Sequence, residues 1–173
     1  MEKNNITLIG MPGAGKSTVG VLLAKRLGYS FVDVDIIIQE KEHRLLKEII
    51  ADEGMDGFLE VENRINAGVT AERSVIAPGG SVIYGKEAME HLKEIGLVIY
   101  LRISYEDLKE RLGDLQDRGV ALKDGMTLRD LYDERVVYYE KYADITVDEG
   151  GKSAGQLVDE IRAMMEKRMG KRL

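Results

Sequence analysis

The feature that most constrains this chain is a short glycine-rich stretch near its amino terminus. The segment ITLIGMPGAGKST, residues 6–18, fits the phosphate-loop pattern G-x-x-x-x-G-K-[ST] through Gly10, Gly15, Lys16 and Ser17. Glycines in such a loop let successive backbone N–H groups point into one concavity, where an anion binds. The helix that follows adds unpaired N–H groups and the positive end of its dipole. The stretch therefore predicts binding of a nucleoside triphosphate, in preference to an ordinary glycine turn.

Three residues of this loop have predicted roles in nucleotide binding. Lys16 places a mobile positive charge near the outer phosphates, and the hydroxyl of Ser17 is suited to a magnesium ion. Gly13, a third glycine, widens the range of backbone conformations that the loop can adopt.

Length and composition narrow the class of protein. A chain of 173 residues suits a single domain. It has no cysteine, which excludes disulfides and fits a reducing compartment. The net charge is −6 and Lys and Arg are interspersed with acids, so the sequence shows no basic stripe that would bind nucleic acid. The apolar runs are too short to span a membrane. We therefore expect one domain over residues 1–173, a cytoplasmic monomer that binds neither nucleic acid nor membranes.

Alternating strand and helix patterns indicate a three-layer α/β domain with a parallel sheet covered on both faces. The predicted strands are 6–9, 30–34, 74–77, 97–103 and 145–147, and the clearest helices are 16–27, 86–95, 105–112, 127–142 and 154–169. Further helical segments fill 36–70, with breaks expected at Gly54 and Gly57. Residues 113–125 are polar and aperiodic, which predicts a flexible flap.

Polar and glycine residues follow two of these strands. Asp33 and Asp35 end the second strand, where alternate residues share a face, so both carboxylates can point the same way. Ligands of open α/β sheets bind outside the carboxyl ends of strands. The two acids suit water-mediated metal binding and activation of an acceptor hydroxyl. The alternative is a helix-capping Asp35 and a turn residue at Asp33. After the third strand, Gly79 and Gly80 allow close approach to a ligand or form a plain turn.

Three arginines complete the candidate site. Arg111 ends a helix, Arg118 lies in the flap and Arg135 lies in the next long helix. A guanidinium can stack on a purine or bind phosphate and carboxylate through two hydrogen bonds. An arginine that arrives when the flap closes could neutralise charge on a transferred phosphoryl group. Each of the three, taken alone, fits an ordinary surface arginine better than a site residue.

Taken in order, these motifs resemble the shikimate kinase family. The set is GMPGAGKSTVG, DVD, GF-x-x-x-E, PGGS, R-x-x-x-x-x-x-R and ER-x-x-Y-x-x-x-AD, and it covers residues 6 to about 147. That family belongs to the P-loop kinases similar to nucleoside monophosphate kinases. The resemblance implies strand order 2-3-1-4-5, acceptor-binding helices at about 36–70 and a mobile lid at about 113–125. It also implies phosphorylation of shikimate to shikimate 3-phosphate by ATP with Mg²⁺.

The resemblance also implies a role for each matching residue. On the nucleotide side, the ATP phosphates are held by Gly13, Ala14, Gly15, Lys16, Ser17 and Thr18, with Ser17 on magnesium and Asp33 reaching it through water. Arg111 stacks on adenine and Arg118 is the lid arginine. On the acceptor side, Asp35 holds the hydroxyls and serves as base. Gly79 and Gly80 line the acceptor site, and Arg135 binds the carboxylate. Lys16, Asp35 and Arg118 are thus the expected catalytic residues.

Three departures from the family pattern leave the acceptor open. Leu59 stands where the family has an arginine that grips the shikimate carboxylate. The family's threonine with three glycines is here Pro-Gly-Gly-Ser at 78–81, and its Arg-Pro-Leu-Leu lid is Arg-Gly-Val-Ala at 118–121. Arg135 alone could hold the carboxylate, or Arg64 could swing in. Otherwise the acceptor is another small hydroxy acid, a polyol or a nucleotide, or the chain is a nucleotide-binding module without turnover.

Overall fold

The structure is a computed structural model that describes residues 4–112 and 125–169. Within these residues, five parallel strands form one sheet in the order β2-β3-β1-β4-β5. The strands are β1 Asn5–Ile9, β2 Ser30–Asp33, β3 Ser74–Ala77, β4 Gly96–Arg102 and β5 Ile145–Asp148. The predicted α/β class and strand order are confirmed.

Seven α-helices are present in the described part of the chain. They are α1 Lys16–Leu27, α2 Val34–Glu42, α3 Leu46–Ala67, α4 Lys86–Ile95, α5 Tyr105–Leu112, α6 Leu128–Tyr142 and α7 Ala154–Met169. A short 3₁₀ turn, Val82–Tyr84, follows β3. None of the helices within 4–112 and 125–169 has the length and apolarity to cross a membrane.

The helices cover the sheet in two apolar layers. Ile6 and Leu8 of β1 pack with α1 and α7, whereas Ile9 faces the layer that holds α3, α4 and α6. This alternation follows from the period of two along a strand. Strands buried on both faces, joined by helices, bring their carboxyl ends to one edge of the sheet. The phosphate loop and the candidate acceptor residues lie at that edge.

The helical region 36–70 differs in detail from the prediction. Gly54 has φ 73° and ψ −179°, so the predicted break there is confirmed as a kink within α3. Gly57 is part of α3, and the predicted break at that position is wrong. The region instead divides at His43, which has φ 53° and ends α2. A positive φ is less costly for His than for most residues, and the sequence gives no strong signal for it.

Candidate active site

The phosphate loop joins β1 to α1 and has the backbone geometry that its glycines predict. Gly10 and Gly15 have φ of 154° and 72°, conformations that other residues rarely adopt. A Cβ on Gly10 would also lie 2.7 Å from the carbonyl oxygen of Leu101, so β4 leaves no space for a side chain. Gly15 is the N-cap of α1, which places the unpaired N–H groups of that helix at the loop. The loop therefore forms an anion cradle.

Lys16 lies over this cradle. Its Nζ donates hydrogen bonds of 2.9 Å to the carbonyl oxygens of Gly10 and Met11. Burial lowers the pKa of Lys16 from 10.5 to about 8, and the negative charge of Asp35 opposes that shift. The ammonium group remains mainly protonated at neutral pH, so the loop carries a positive charge where the outer phosphates of a nucleotide would lie.

Asp33 and Asp35 are close together for a reason other than the predicted one. The second strand ends at Asp33, which is the N-cap of α2, and its Oδ1 accepts a 3.0 Å hydrogen bond from the backbone N–H of Asp35. The expectation that both acids extend a strand is therefore wrong, because Val34 already begins the helix. Burial raises the pKa of Asp35, and the charge of Asp33 raises it further. A carboxylate so placed is more basic than an ordinary aspartate.

Glu62 is a site residue to which the sequence analysis gave no role. It is 1% exposed, and its Oε2 accepts a 2.6 Å hydrogen bond from the Ser81 hydroxyl. Its Oε1 has no hydrogen-bond partner within the described residues. A Cβ on Gly79 would overlap that oxygen and lie 3.2 Å from Oδ1 of Asp35. Gly79 is thus a glycine because two carboxyl groups approach it. A signal did exist, since Glu62 follows the buried Phe58 by one helical turn.

The protonation of Glu62 gives a testable pH dependence. Burial raises its pKa from 4.5 to about 7, and the Ser81 hydrogen bond only partly opposes this. The folded protein then keeps a proton that the unfolded chain releases, so this group makes folding less favourable as the pH rises from about 4.5 to 7. Glu62→Gln removes this effect. Relative to wild type, we expect the variant to gain up to about 3 kcal/mol of unfolding free energy between about pH 5 and pH 8.

Urea unfolding of both proteins across this pH range measures the difference. Glu60→Gln, at an exposed position of the same helix, is the matched control. A stability difference between Glu62→Gln and wild type that does not change with pH would contradict a protonated Glu62.

Arg135 is the buried cation on the other side of the site. It is 5% exposed, and its guanidinium carbon lies 5.5 Å from the ring centre of Tyr84. A Cβ on Gly80 would be 3.1 Å from its Nη1, and the Gly80 carbonyl accepts a 2.6 Å hydrogen bond from the Tyr139 hydroxyl. Nε of Arg135 has no hydrogen-bond partner in the part of the chain that the structure describes. Arg135 is therefore a buried charge with free hydrogen-bonding capacity beside Gly80.

One cavity of about 840 Å³ brings most of the predicted site residues together. Its wall includes the predicted residues Gly13, Gly15, Lys16, Ser17, Thr18, Asp33, Asp35, Gly79, Gly80 and Arg135, together with Glu62. Ala14 is fully buried beneath the loop. Arg118 and the predicted flap or lid, apart from Gly125, lie outside the described residues. A cavity of this size can hold the reacting ends of two substrates.

Arg111 belongs to a neighbouring cavity of about 590 Å³, which is also lined by Gly13, Asp107, Glu110 and Gly151. Its Nη1 donates to the carbonyl oxygen of Gly13 at 3.2 Å. Arg111 is therefore fixed to the phosphate loop, at the side away from Asp35 and Arg135.

The position of Leu59 shows what changes when leucine replaces the arginine of the family pattern. Leu59 lines a small cleft with Met55, Tyr84 and Leu131, and the charged residues Glu134 and Arg135 also border it. An arginine at this position would place a second cation beside Arg135. Arg64 does not replace it, because Arg64 is exposed and its Nη2 is bound to Glu42 at 2.8 Å. Arg135 thus lines both the active-site cavity and the small cleft, whereas Leu59 lines the cleft alone.

Comparison with known proteins identifies the family. A sequence model described as "Shikimate kinase" matches residues 12–166. The shikimate kinase of Persephonella marina is 37% identical over 158 residues, covering 91% of this chain and 96% of that protein. The chain belongs to the shikimate kinase family. The shikimate kinase of Moorella thermoacetica is 39% identical over 166 residues, covering 94% of each chain.

Solved structures of shikimate kinases agree with this assignment. The shikimate kinase from Acinetobacter baumannii, in complex with shikimate, superposes with a TM-score of 0.85 at 30% identity, covering 96% of this chain and 95% of that one. Shikimate kinases use ATP. The predicted family and fold are confirmed, whereas the roles of the individual site residues stay predictions.

Proposed function

We propose that this shikimate kinase family member transfers the γ-phosphoryl group of ATP to a hydroxyl of shikimate, giving ADP and shikimate 3-phosphate. The observation that carries the proposal is one cavity that is lined by Lys16 and Ser17 together with Asp35 and Arg135. The shikimate-bound Acinetobacter baumannii enzyme, which has the same fold, supports shikimate as the acceptor.

On the donor side, the loop amides and Lys16 would bind the phosphates of ATP. Gly15 caps α1, so the unpaired N–H groups at the start of that helix lie at the cradle, and Lys16 adds the charge. In the transition state, negative charge spreads over the transferred phosphoryl group, and a fixed cation there lowers the barrier. Arg118, outside the described residues, keeps the lid role that the family resemblance implies.

Ser17 and Asp33 would hold Mg²⁺ beside these phosphates. No cluster of three or more His, Cys, Asp or Glu that could hold a metal occurs among residues 4–112 and 125–169. One hydroxyl and one carboxylate do fit magnesium, which in kinases takes most ligands from water and phosphate. Asp33 gives only Oδ1 to the Asp35 amide. When bound, the ion would neutralise charge on the phosphates.

On the acceptor side, Asp35 would orient the hydroxyl and accept its proton as the oxygen attacks the γ-phosphorus. The bond to the ADP oxygen then breaks, and ADP leaves with that electron pair. The raised pKa of Asp35 suits a proton acceptor near neutral pH. Arg135, whose Nε has no hydrogen-bond partner among the described residues, would bind the carboxylate of the acceptor. Gly79 and Gly80 keep the wall between these two groups open.

Leu59→Arg tests whether a carboxylate binds beside Arg135. We expect the variant to lower the KM for shikimate by at least about tenfold with little change in kcat, because a charge-assisted hydrogen bond is added in the ground state and kept in the transition state. Steady-state kinetics with saturating ATP measure this change. Leu59→Met, which keeps the volume without adding charge, is the control. An unchanged KM in a folded Leu59→Arg protein would mean that the carboxylate lies elsewhere.

A second candidate function is phosphorylation of another small hydroxy acid, a polyol or a nucleotide. Leu59 favours it, because the cleft beside Arg135 offers a carboxylate no second cation and is also lined by Glu134. Arg135 and the paired Asp33 and Asp35 favour shikimate. An ADP-release assay over a panel of shikimate, gluconate, other hydroxy acids and nucleoside monophosphates separates the two. We expect the largest kcat/KM for shikimate; a larger value for another acceptor would overturn the proposal.

A further inference from the structure

Glu149 is a buried carboxylate that has no role in the mechanism above. It directly follows β5 and is 2% exposed. Its backbone N–H donates to the carbonyl oxygen of Arg102 at 2.9 Å, and its own carbonyl accepts from the N–H of Lys152 at 2.7 Å. Gly150 and Gly151 then turn the chain with φ of 41° and 73°. The main chain at Glu149 is therefore fixed on both sides.

The carboxylate of Glu149 holds Arg111. Its Oε2 accepts a 2.5 Å hydrogen bond from Nη1 of Arg111, the same nitrogen that donates to the Gly13 carbonyl at 3.2 Å. Oε1 of Glu149 has no hydrogen-bond partner among the residues described. One guanidinium nitrogen thus connects the turn after β5 to the phosphate loop, through a charge-assisted contact with a buried partner.

Apolar contacts already fix the rest of α5. A Cβ on Gly13 would lie 3.1 Å from a methyl group of Leu112 and 3.7 Å from one of Leu108. The Arg111 side chain is by contrast 39% exposed and borders the cavity of about 590 Å³ beside the loop. The contacts with Glu149 and with the Gly13 carbonyl restrict this side chain, and the contact with Glu149 is the shorter of the two. Because it uses the edge of the guanidinium plane, the two faces remain for stacking on a planar ring.

We propose that Glu149 is a positioning residue for nucleotide binding, which fixes Arg111 so that its guanidinium face meets the base of the bound nucleotide. This inference rests on the proposed function, with Arg111 in the adenine-stacking role that the family resemblance implies. In this role Glu149 would act on the nucleotide through Arg111. Glu149 orders the Arg111 side chain before the nucleotide binds, so less side-chain conformational entropy is lost on binding.

The test separates base binding from phosphate binding. Calorimetry without acceptor measures the Kd of ATP and of inorganic tripolyphosphate, which has no base, each with Mg²⁺. In Glu149→Gln, which keeps the side-chain size, we expect the Kd of ATP to rise about fivefold and that of tripolyphosphate to stay unchanged. Glu160→Gln, which removes a carboxylate paired with Lys152 outside both cavities, is the control. In an Arg111→Gln background, Glu149→Gln should add no further loss.

Several results would overturn the inference. An unchanged Kd of ATP in Glu149→Gln would do so, as would an equal loss for tripolyphosphate, which would place the effect on the phosphate loop. If Glu149→Gln does not fold, Arg111→Gln at an exposed side chain decides: ATP binding about tenfold weaker supports the role, and wild-type ATP binding overturns it. Because the assay contains no acceptor, a base-dependent loss supports the role even if shikimate proves not to be the acceptor.

Discussion

Replacing Lys16 by methionine is expected to lower kcat for ADP formation by about 10³-fold, with the fold retained. Methionine keeps most of the side-chain length but removes the charge that Nζ places over the phosphate loop. The charge that develops on the transferred phosphoryl group is then left without this cation, so the loss appears in kcat and not only in the KM for ATP. A coupled ADP-release assay measures the rate, and circular dichroism checks the fold.

Lys25→Met provides the matched control for this variant. Lys25 lies on the same helix, α1, but is exposed and does not line the active-site cavity. We expect its kinetics to equal those of wild type. If Lys16→Met retained more than about a tenth of the wild-type kcat, the loop would not bind the transferred phosphates as proposed.

The second large effect is expected for Asp35→Asn, with kcat reduced by about 10²- to 10³-fold. The amide has nearly the same shape and still forms hydrogen bonds to a hydroxyl, but it cannot take the proton. The KM for shikimate should therefore change much less than kcat. Because burial and the charge of Asp33 raise the pKa of Asp35, wild-type kcat should fall on acidification at a pH above the ordinary aspartate range. That acidic limb should be absent from the variant.

Asp56→Asn is the control for Asp35→Asn. Asp56 is an exposed acid on α3 that does not line the cavity. Equal kcat values for Asp35→Asn and wild type would exclude Asp35 as the base. A large rise in the shikimate KM with normal kcat would instead limit Asp35 to acceptor binding.

The parts of the site that depend on local sequence were predictable. The phosphate loop needs glycines at fixed spacing between a strand and a helix, and Gly10 and Gly15 have the positive φ that this spacing indicates. The alternation of strands and helices was sufficient for the fold class.

The roles that depend on distant contacts were not predictable, although the spacing of Phe58 and Glu62 indicated that they share a helix face. Glu62 matters because it meets Ser81, and Glu149 because it meets Arg111, partners that only the folded chain brings together. Isolated acids in helix and loop patterns look like surface residues, and only burial distinguishes them. The proximity of Asp33 and Asp35 was predicted from a strand end, but it results from a helix cap. A strand end and a helix cap have the same residue types there, and hydrogen bonding to the Asp35 amide selects the cap.

The most direct test of the central claim is identification of the product formed from ATP and shikimate. Phosphorus and proton NMR of the reaction mixture distinguish a new phosphate ester from free phosphate. We predict one ADP for each phosphorylated shikimate, with the phosphoryl group on the 3-hydroxyl. Hydrolysis of ATP to ADP and free phosphate, with shikimate recovered unchanged, would contradict the proposed transfer.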